Sequence, residues 1–193
     1  DARGAVDEIV AGMRRQVGTV LRRHGLVVAM SGGIDSSVCA ALAVHAVGQR
    51  RVLGLALPER ESDPSSRTLA HDWARQLGID FVVEDITAAL EASGCYSRRD
   101  AAIRRVVPEY AVGWRSKMIV DGGTPGADHL SLPALTVRPP AGTDRQVRLP
   151  AREFREILAA TNSKQRVRKL MEYQHADRLG YAVVGTPNKL EFD

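Results

Sequence analysis

A chain of 193 residues with 44% hydrophobic, 26% charged and 5% aromatic content has the length and composition of one globular domain with a sizeable core. Its formal charge of +4 suits a phosphate-bearing small molecule and is too small to argue for nucleic acid. No apolar run reaches the length of a membrane span, and two cysteines without a CxxC or Cys/His cluster exclude a disulfide framework and a thiolate metal site. No signal peptide is read, the chain opens on Asp1 rather than Met, and a soluble cytoplasmic protein is the expectation.

From the N-terminus, Val6, Ile9, Val10, Met13, Val17, Val20 and Leu21 recur at three- and four-residue spacing. They predict an amphipathic helix over 3–24, ending near Gly25. An apolar strand over 26–30 leads to an Ala/Val-rich helix over 35–47, and a second strand over 51–57 is closed by Pro58. The run DPSSRTLAHDWARQLG reads as a helix with an Asp/Ser cap ending at Gly78, followed by a third strand over 79–85. Strands apolar enough to be buried on both faces, alternating with helices, predict a doubly wound, mostly parallel α/β fold.

The middle of the chain breaks this rhythm. Residues 86–116 read as helical, interrupted by Gly94, Pro108 and Gly113, and DGGTPGAD (121–128) reads as a loop. LSLPALTV and RQVRL flank RPPAGTD and predict a β-hairpin. Helices over 151–160 and 163–179 and a strand over 181–185 restore regular order, with no internal repeat.

The stretch VVAMSGGIDSSVCAALAV (27–44) carries the chemistry. A strand that turns through Ser31, Gly32 and Gly33 into a helix presents backbone N–H groups at a helix N-terminus, which favours anions. Ser31, Ser36 and Ser37 add hydroxyl donors, so the turn suits a phosphate or pyrophosphate at the carboxyl end of a parallel strand. Asp35 reads either as a helix-capping residue or, inside such a cradle, as a ligand of a divalent cation bridging to the phosphates. Blander readings fit Cys39 as a small core residue and Trp73 as a packing residue. Cys95 falls in a loop region, RRDAAIRR (98–105) reads as a solvated helix face, and His45, His71, His129 and His175 share no spacing.

SGGIDSS resembles the PP-loop of the N-type ATP pyrophosphatases, which cleave ATP between its α and β phosphates. TNSKQRVRKLMEYQHADRLGYAVVGTPNKLE (161–191), with Asn162, Lys164, Arg166, Arg168, Gly185, Thr186 and Glu191 in register, is similar to the NAD synthetase branch. LGLALPERESDPSSRTLAHDWARQLGI (53–79) extends the resemblance over most of 1–90 and 150–193. It implies the adenine nucleotide alpha hydrolase-like fold, with one domain over 1–193, a divergent insertion over about 91–150, and the C-terminal part of the family domain absent from this sequence.

The resemblance further implies an AMP-forming amide ligase that uses ATP and Mg²⁺ to adenylate a carboxylate, deamido-NAD first, and then transfers ammonia to it. Ammonia would be free or come from a separate glutaminase, and the protein would be a homodimer. Asp35, Lys164 and Arg166 are its expected catalytic residues. Nucleotide binding falls to Ser31, Gly32, Gly33, Asp35, Ser36, Ser37, Leu57, Arg168 and Thr186, and the cation to Asp35 and Glu191. The bare alternative for Lys164, Arg166 and Arg168 is a solvated basic helix face. Competing functions are a ligase of the same chemistry on another carboxylate, a PP-loop tRNA-modifying enzyme, and a nucleotide-binding regulator without catalysis. The modest charge and the lack of a paired cysteine motif oppose the second, and retention of Asp35 and Glu191 opposes the third.

Overall fold

The computed structural model describes residues 1–119 and 133–186; Glu191, His129 and the 121–128 loop lie outside them. Contacts divide the chain into two compact units, one of residues up to Ala88 with those from Val167 onward, the other Ala89–Arg166.

In the first unit, helix α1 (Ala2–Arg15) opens on Asp1, whose carboxylate accepts from the Arg3 N–H at 3.0 Å. It widens into a π-helical turn, Gln16–Val20, that keeps Val17 in the core, so the predicted helix over 3–24 stops short of its expected end. Four parallel strands follow: β1 (Leu26–Ala29), β2 (Val52–Ala56), β3 (Asp80–Val83) and β7 (Ala182–Val184), in the spatial order β3-β2-β1-β7. Helix α2 (Ile34–Val47) joins β1 to β2, α3 (Pro64–Leu77) joins β2 to β3, and α6 (Ala151–Leu179) leads into β7. Succession runs outward from β1 through β2 to β3, then β7 pairs on the other side of β1. That reversal makes β1 and β7 a topological switch point.

The doubly wound parallel expectation therefore holds. Burial on both faces is true of β1 and β2, whereas β3 is an edge strand with Asp80 and Val83 exposed. The core here joins Val10 and Val17 to Leu26, Val28 and Met30 of the first strand region, with Ala40, Ala43, Ala46 and Val47 of α2 against them. Arg14 donates to the carbonyls of Ala46 and His45, each at 2.8 Å, and so satisfies orphan acceptors at the end of α2.

The second unit differs from its sequence reading. Residues 86–116 hold α4 (Thr87–Ala92) and α5 (Cys95–Arg104), but the last two of them open a strand, β4 (Arg115–Ile119), where helix was predicted. Alternation explains it: Ser116 and Met118 are half-buried while Arg115 and Lys117 are exposed, a period of two. The predicted hairpin exists as β5 (Ala134–Arg138) and β6 (Arg145–Arg148), and β4 adds to it antiparallel. Its inner face places Leu135 and Val137 against Ile103, Val107 and Ile157. RRDAAIRR is only partly solvated, because Arg99 is buried and Arg105 pairs with Glu153 at 2.9 Å and with Glu156.

The predicted break between 160 and 163 is absent, and α6 runs unbroken. Thr161 and Ser163 donate their hydroxyls back to the Ile157 and Ala159 carbonyls at 3.1 and 2.9 Å, so they sit within the helix instead of capping a new one.

Leu55, fully buried on the central strand β2, tests the core directly. Leu55→Ala is expected to destabilise the protein by about 2–5 kcal/mol, read as a lowered urea midpoint at unchanged slope. A midpoint equal to that of the parent protein would mean that β2 is not in the folding core.

Candidate functional site

The chain leaves β1 at Met30, whose N–H still bonds the Leu55 carbonyl at 2.8 Å, and turns into α2 within three residues. Gly32 adopts φ +78°, and a Cβ there would stand 2.5 Å from the Ser66 carbonyl oxygen in the first turn of α3. Both facts require glycine. Gly33 is the N-cap of α2 and has no side chain to bond the first-turn amides, which leaves that end open to an anion.

The three serines are bonded within the turn. Ser36 is buried and donates to the Gly33 carbonyl at 3.0 Å, while its oxygen accepts from the Ser31 N–H at 3.2 Å. Ser37 donates to the same Gly33 carbonyl at 2.8 Å. The Gly33 N–H in turn donates to Ser31 Oγ at 3.3 Å, and the Ser31 and Ser36 hydroxyls lie 3.2 Å apart. The hydroxyls thus knit the turn to itself.

Asp35 is exposed in the first turn of α2, where its charge also complements the helix dipole. One turn on, Cys39 has its thiol pushed up, first by burial and then by the Asp35 carboxylate. Cys39 packs beside the core, as a small core residue should.

β1, β2 and β7 are parallel, so Ser31, Leu57 and Thr186, each just beyond its strand, lie at one edge of the sheet. Leu57 is buried and Thr186 half-buried. Arg168 belongs to the same unit, on α6. Lys164 and Arg166 belong to the second unit. There the Lys164 ammonium lies 5.3 Å from the Tyr96 ring centroid, while Arg166 is exposed. Helical geometry accounts for the difference: positions 164 and 168 share a face and 166 points away. Among the described residues no group of three or more His, Cys, Asp or Glu could hold a metal, and no helix is long and apolar enough to cross a membrane.

Several supporting residues carried no signal that sequence reading used. Trp73 packs as expected, but its indole N–H also donates to the Ser37 carbonyl at 2.9 Å and ties α3 to α2. His175 is buried, with Nε2 2.7 Å from a Glu84 carboxylate oxygen and Nδ1 2.9 Å from the Arg178 guanidinium. Arginine only donates, so Nδ1 accepts and Nε2 carries the hydrogen given to Glu84. Cys95 opens α5 instead of lying in a loop, and is buried with its thiol donating to Ala160.

A family model described as NAD synthase matches residues 5–118. The NH(3)-dependent NAD(+) synthetase of Rhizobium rhizogenes is 48% identical over 193 residues, which is 100% of this chain and 58% of that protein. Among solved structures, an NMN synthetase from Francisella tularensis superposes with a TM-score of 0.64 at 18% identity, covering 100% of this chain and 57% of the other. The NH3-dependent NAD synthetase from Campylobacter jejuni gives a TM-score of 0.62 at 17% identity, with 100% and 59% covered. The chain thus spans less than two thirds of the length of these relatives. The R. rhizogenes alignment runs through 91–150 as well, so the stretch expected to be a divergent insertion is shared with that relative.

Gly32→Ala is expected to cost about 1–2 kcal/mol for the left-handed backbone alone, with the Ser66 contact adding to it. Gly33, at φ −84°, has an ordinary backbone, and a Cβ there would meet only Ser31 Oγ, at 3.3 Å, which a shift of a few tenths of an ångström relieves, so Gly33→Ala should cost less. Equal melting temperatures for the two variants would contradict the turn geometry.

Proposed function

Because the chain belongs to the NAD synthase family, we propose that it is the ATP-binding part of an ammonia-dependent, AMP-forming amide ligase whose substrate is deamido-NAD. The observation that carries this reading is the N-terminus of α2, without a side-chain cap, behind a glycine turn at the switch point of the sheet, an arrangement that suits a pyrophosphate. Support for the substrate comes from the name of the R. rhizogenes relative, which aligns over the whole chain.

In the proposed reaction a carboxylate oxygen attacks the α-phosphorus of ATP, and the bond to the bridging oxygen of the β-phosphate breaks. Pyrophosphate leaves and an acyl-adenylate remains. Ammonia then attacks the acyl carbon, AMP departs with the bonding pair, and a proton is lost from nitrogen to leave the amide. The turn amides and the α2 dipole would hold the β- and γ-phosphates as charge moves onto the leaving group. We assign Lys164 and Arg166 to the charge developing on the transferred phosphoryl group, Arg168 and Thr186 to phosphate contacts, and Leu57 to the nucleotide. Positioning and preorganised charge would account for most of the rate gain.

Asp35 fits a hard divalent cation: it is an exposed carboxylate beside the anion cradle, and Mg²⁺ characteristically takes one or two carboxylates and completes its shell with water and phosphate. Asp35, with Glu191, would hold that ion, and the ion would neutralise phosphate charge. Under this reading the enzyme works in the cytoplasm as a homodimer, with ammonia free or delivered by a separate glutaminase. A second reading, the same chemistry on a different carboxylate, draws on the family match ending at residue 118, inside the divergent stretch.

The full-length protein is expected to release AMP and pyrophosphate from ATP and to form NAD from deamido-NAD and ammonia with kcat/KM of about 10⁴ M⁻¹s⁻¹ or more. Stable ADP would remove the reading altogether. Release of AMP with other carboxylates but not with deamido-NAD would favour the second reading. Asp35→Asn should raise the Mg²⁺ concentration needed for half-maximal turnover, losing a few kcal/mol at most because one of several ligands is removed. An unchanged Mg²⁺ requirement would take Asp35 out of the cation site.

A further inference from the structure

Between Glu8 and Glu59 the sequence holds six arginines and a single carboxylate, Asp35. Asp35 opens α2 at the carboxyl edge of the parallel sheet, whereas the arginines fall at its amino edge. Arg14 and Arg15 close α1, Arg22 and Arg23 lead into β1, and Arg50 and Arg51 lead into β2 through the short 3-10 turn Gln49–Arg51. The two strands are parallel neighbours with Leu26 opposite Val52, so their entries lie side by side. A Cβ on Gly25 would stand 2.4 Å from the Arg51 carbonyl oxygen. All six arginines belong to the first unit.

Arginines at that edge have an ordinary use, because helix C-termini end there with unpaired carbonyls and a negative field. Arg14 serves it by donating to the Ala46 and His45 carbonyls, and Arg51 by donating from Nε to the Val47 carbonyl at 2.7 Å. Arg15, Arg22, Arg23 and Arg50 are exposed and make no such bond among the described residues. Asp80 at the start of β3 and Asp177 near the end of α6 bring carboxylates to the same edge, beside Arg75 and Arg178, and leave its balance positive.

Two features single out the turn that joins α1 to β1. Val20 and Leu21 stand 60% and 51% exposed there, between the two arginine pairs. Arg22 has φ +50°, the one non-glycine residue with a left-handed backbone among those described, and hydrogen bonds on both sides fix it: Leu21 N–H to the Gln16 carbonyl at 2.8 Å and Arg23 N–H to the Val17 carbonyl at 2.9 Å. Glycine would adopt that backbone without strain, so what an arginine adds at this position is its side chain. Exposed aliphatic side chains flanked by arginines match a bilayer surface, whose acyl boundary takes the first and whose anionic headgroups take the second. A nucleic acid would offer phosphates too, but residues 14–25 carry no Phe, Tyr or Trp on which bases could stack.

We propose that this amino edge is a docking surface for an anionic lipid bilayer, with Val20 and Leu21 entering the acyl boundary and Arg15, Arg22, Arg23 and Arg50 meeting headgroup phosphates. The surface lies at the edge of the sheet opposite the Ser31–Ser37 turn and does not depend on the function proposed for that turn.

The test is cosedimentation of the full-length protein with phosphatidylcholine vesicles, with and without about one-third phosphatidylserine. Binding is expected to the anionic vesicles alone, and to weaken as salt is raised. Arg22→Gly should weaken it about fivefold, the share of one arginine near an anionic surface. The same variant should not lower the melting temperature, because glycine relieves the left-handed backbone. Arg15→Gln with Arg50→Gln, which leaves the turn backbone alone, should weaken binding about 25-fold. Val20→Ser with Leu21→Ser should weaken it about tenfold, and that loss should persist at high salt. No binding to the anionic vesicles, equal binding to the neutral ones, or unchanged binding in the Arg15/Arg50 variant would overturn the proposal. Unchanged binding in the Val20/Leu21 variant, with single-stranded RNA displacing the vesicles, would also overturn it and assign the arginines to a polyanion instead.

Discussion

The close approach of Gly32 to the Ser66 carbonyl governs the candidate site. The first turn of α3 and the entry to α2 meet over the ends of β1 and β2, leaving no room for a side chain at position 32. A backbone at φ +78° is the conformation that makes the turn there, and glycine is the residue that adopts it without strain. The partner surface is itself fixed. Asp63 caps α3 by accepting from the Ser65 N–H at 2.9 Å, Pro64 follows at the first helical position, and Trp73 binds the Ser37 carbonyl from farther along the same helix. The turn is held from two sides before any ligand arrives, and such preorganisation keeps the cost of ordering out of the binding step.

The hydroxyl network of the turn refines how such a loop would bind phosphate. Three serines in seven residues look like three donors when read as a string. In the folded turn two of those protons go to one carbonyl, that of Gly33, and the third hydroxyl accepts from the Gly33 amide. That carbonyl also accepts the Ser37 N–H at 3.1 Å, the first bond of α2, so the two hydroxyls fasten the turn to the start of the helix. The serines thus stabilise the conformation, and the helix N-terminus supplies the field. A Ser36→Ala change would disturb the turn itself, since Ser36 is buried and both gives and receives hydrogen bonds there.

Much of the first unit was legible because its local signals agree with one another. Apolar strands alternate with capped helices, Gly78 ends α3 in a left-handed conformation, and the SGG turn falls where strand meets helix. Legibility failed where short-range patterns compete. The start of β4, Arg115 and Ser116, was absorbed into the helical stretch over 86–116 because a five-residue strand carries too few alternations to stand out. The break expected between the helices over 151–160 and 163–179 falls on Thr161, Asn162 and Ser163, residue types that favour caps and turns. Within a long helix the same hydroxyls turn back to the i−4 carbonyls instead. The Glu84–His175 pair was invisible because its partners are 91 residues apart and neither lies in a recognisable motif.

The uninterrupted α6 alters the meaning of the basic run it carries. Had a helix begun at residue 163, Lys164, Arg166 and Arg168 would have occupied its first turns, where the dipole disfavours cations and neighbouring N–H groups already crowd the site. In mid-helix no such penalty applies, and the 100° step between residues distributes the three charges. Lys164 and Arg168 take one face and become half-buried, and Arg166 takes the other and stays in solvent. A motif that reads as three equivalent cations in the sequence is therefore two partly desolvated cations and one hydrated one. Desolvation strengthens what a charge can do to a phosphate, so a role for Arg166 at a phosphate requires that the substrate itself cover its exposed face.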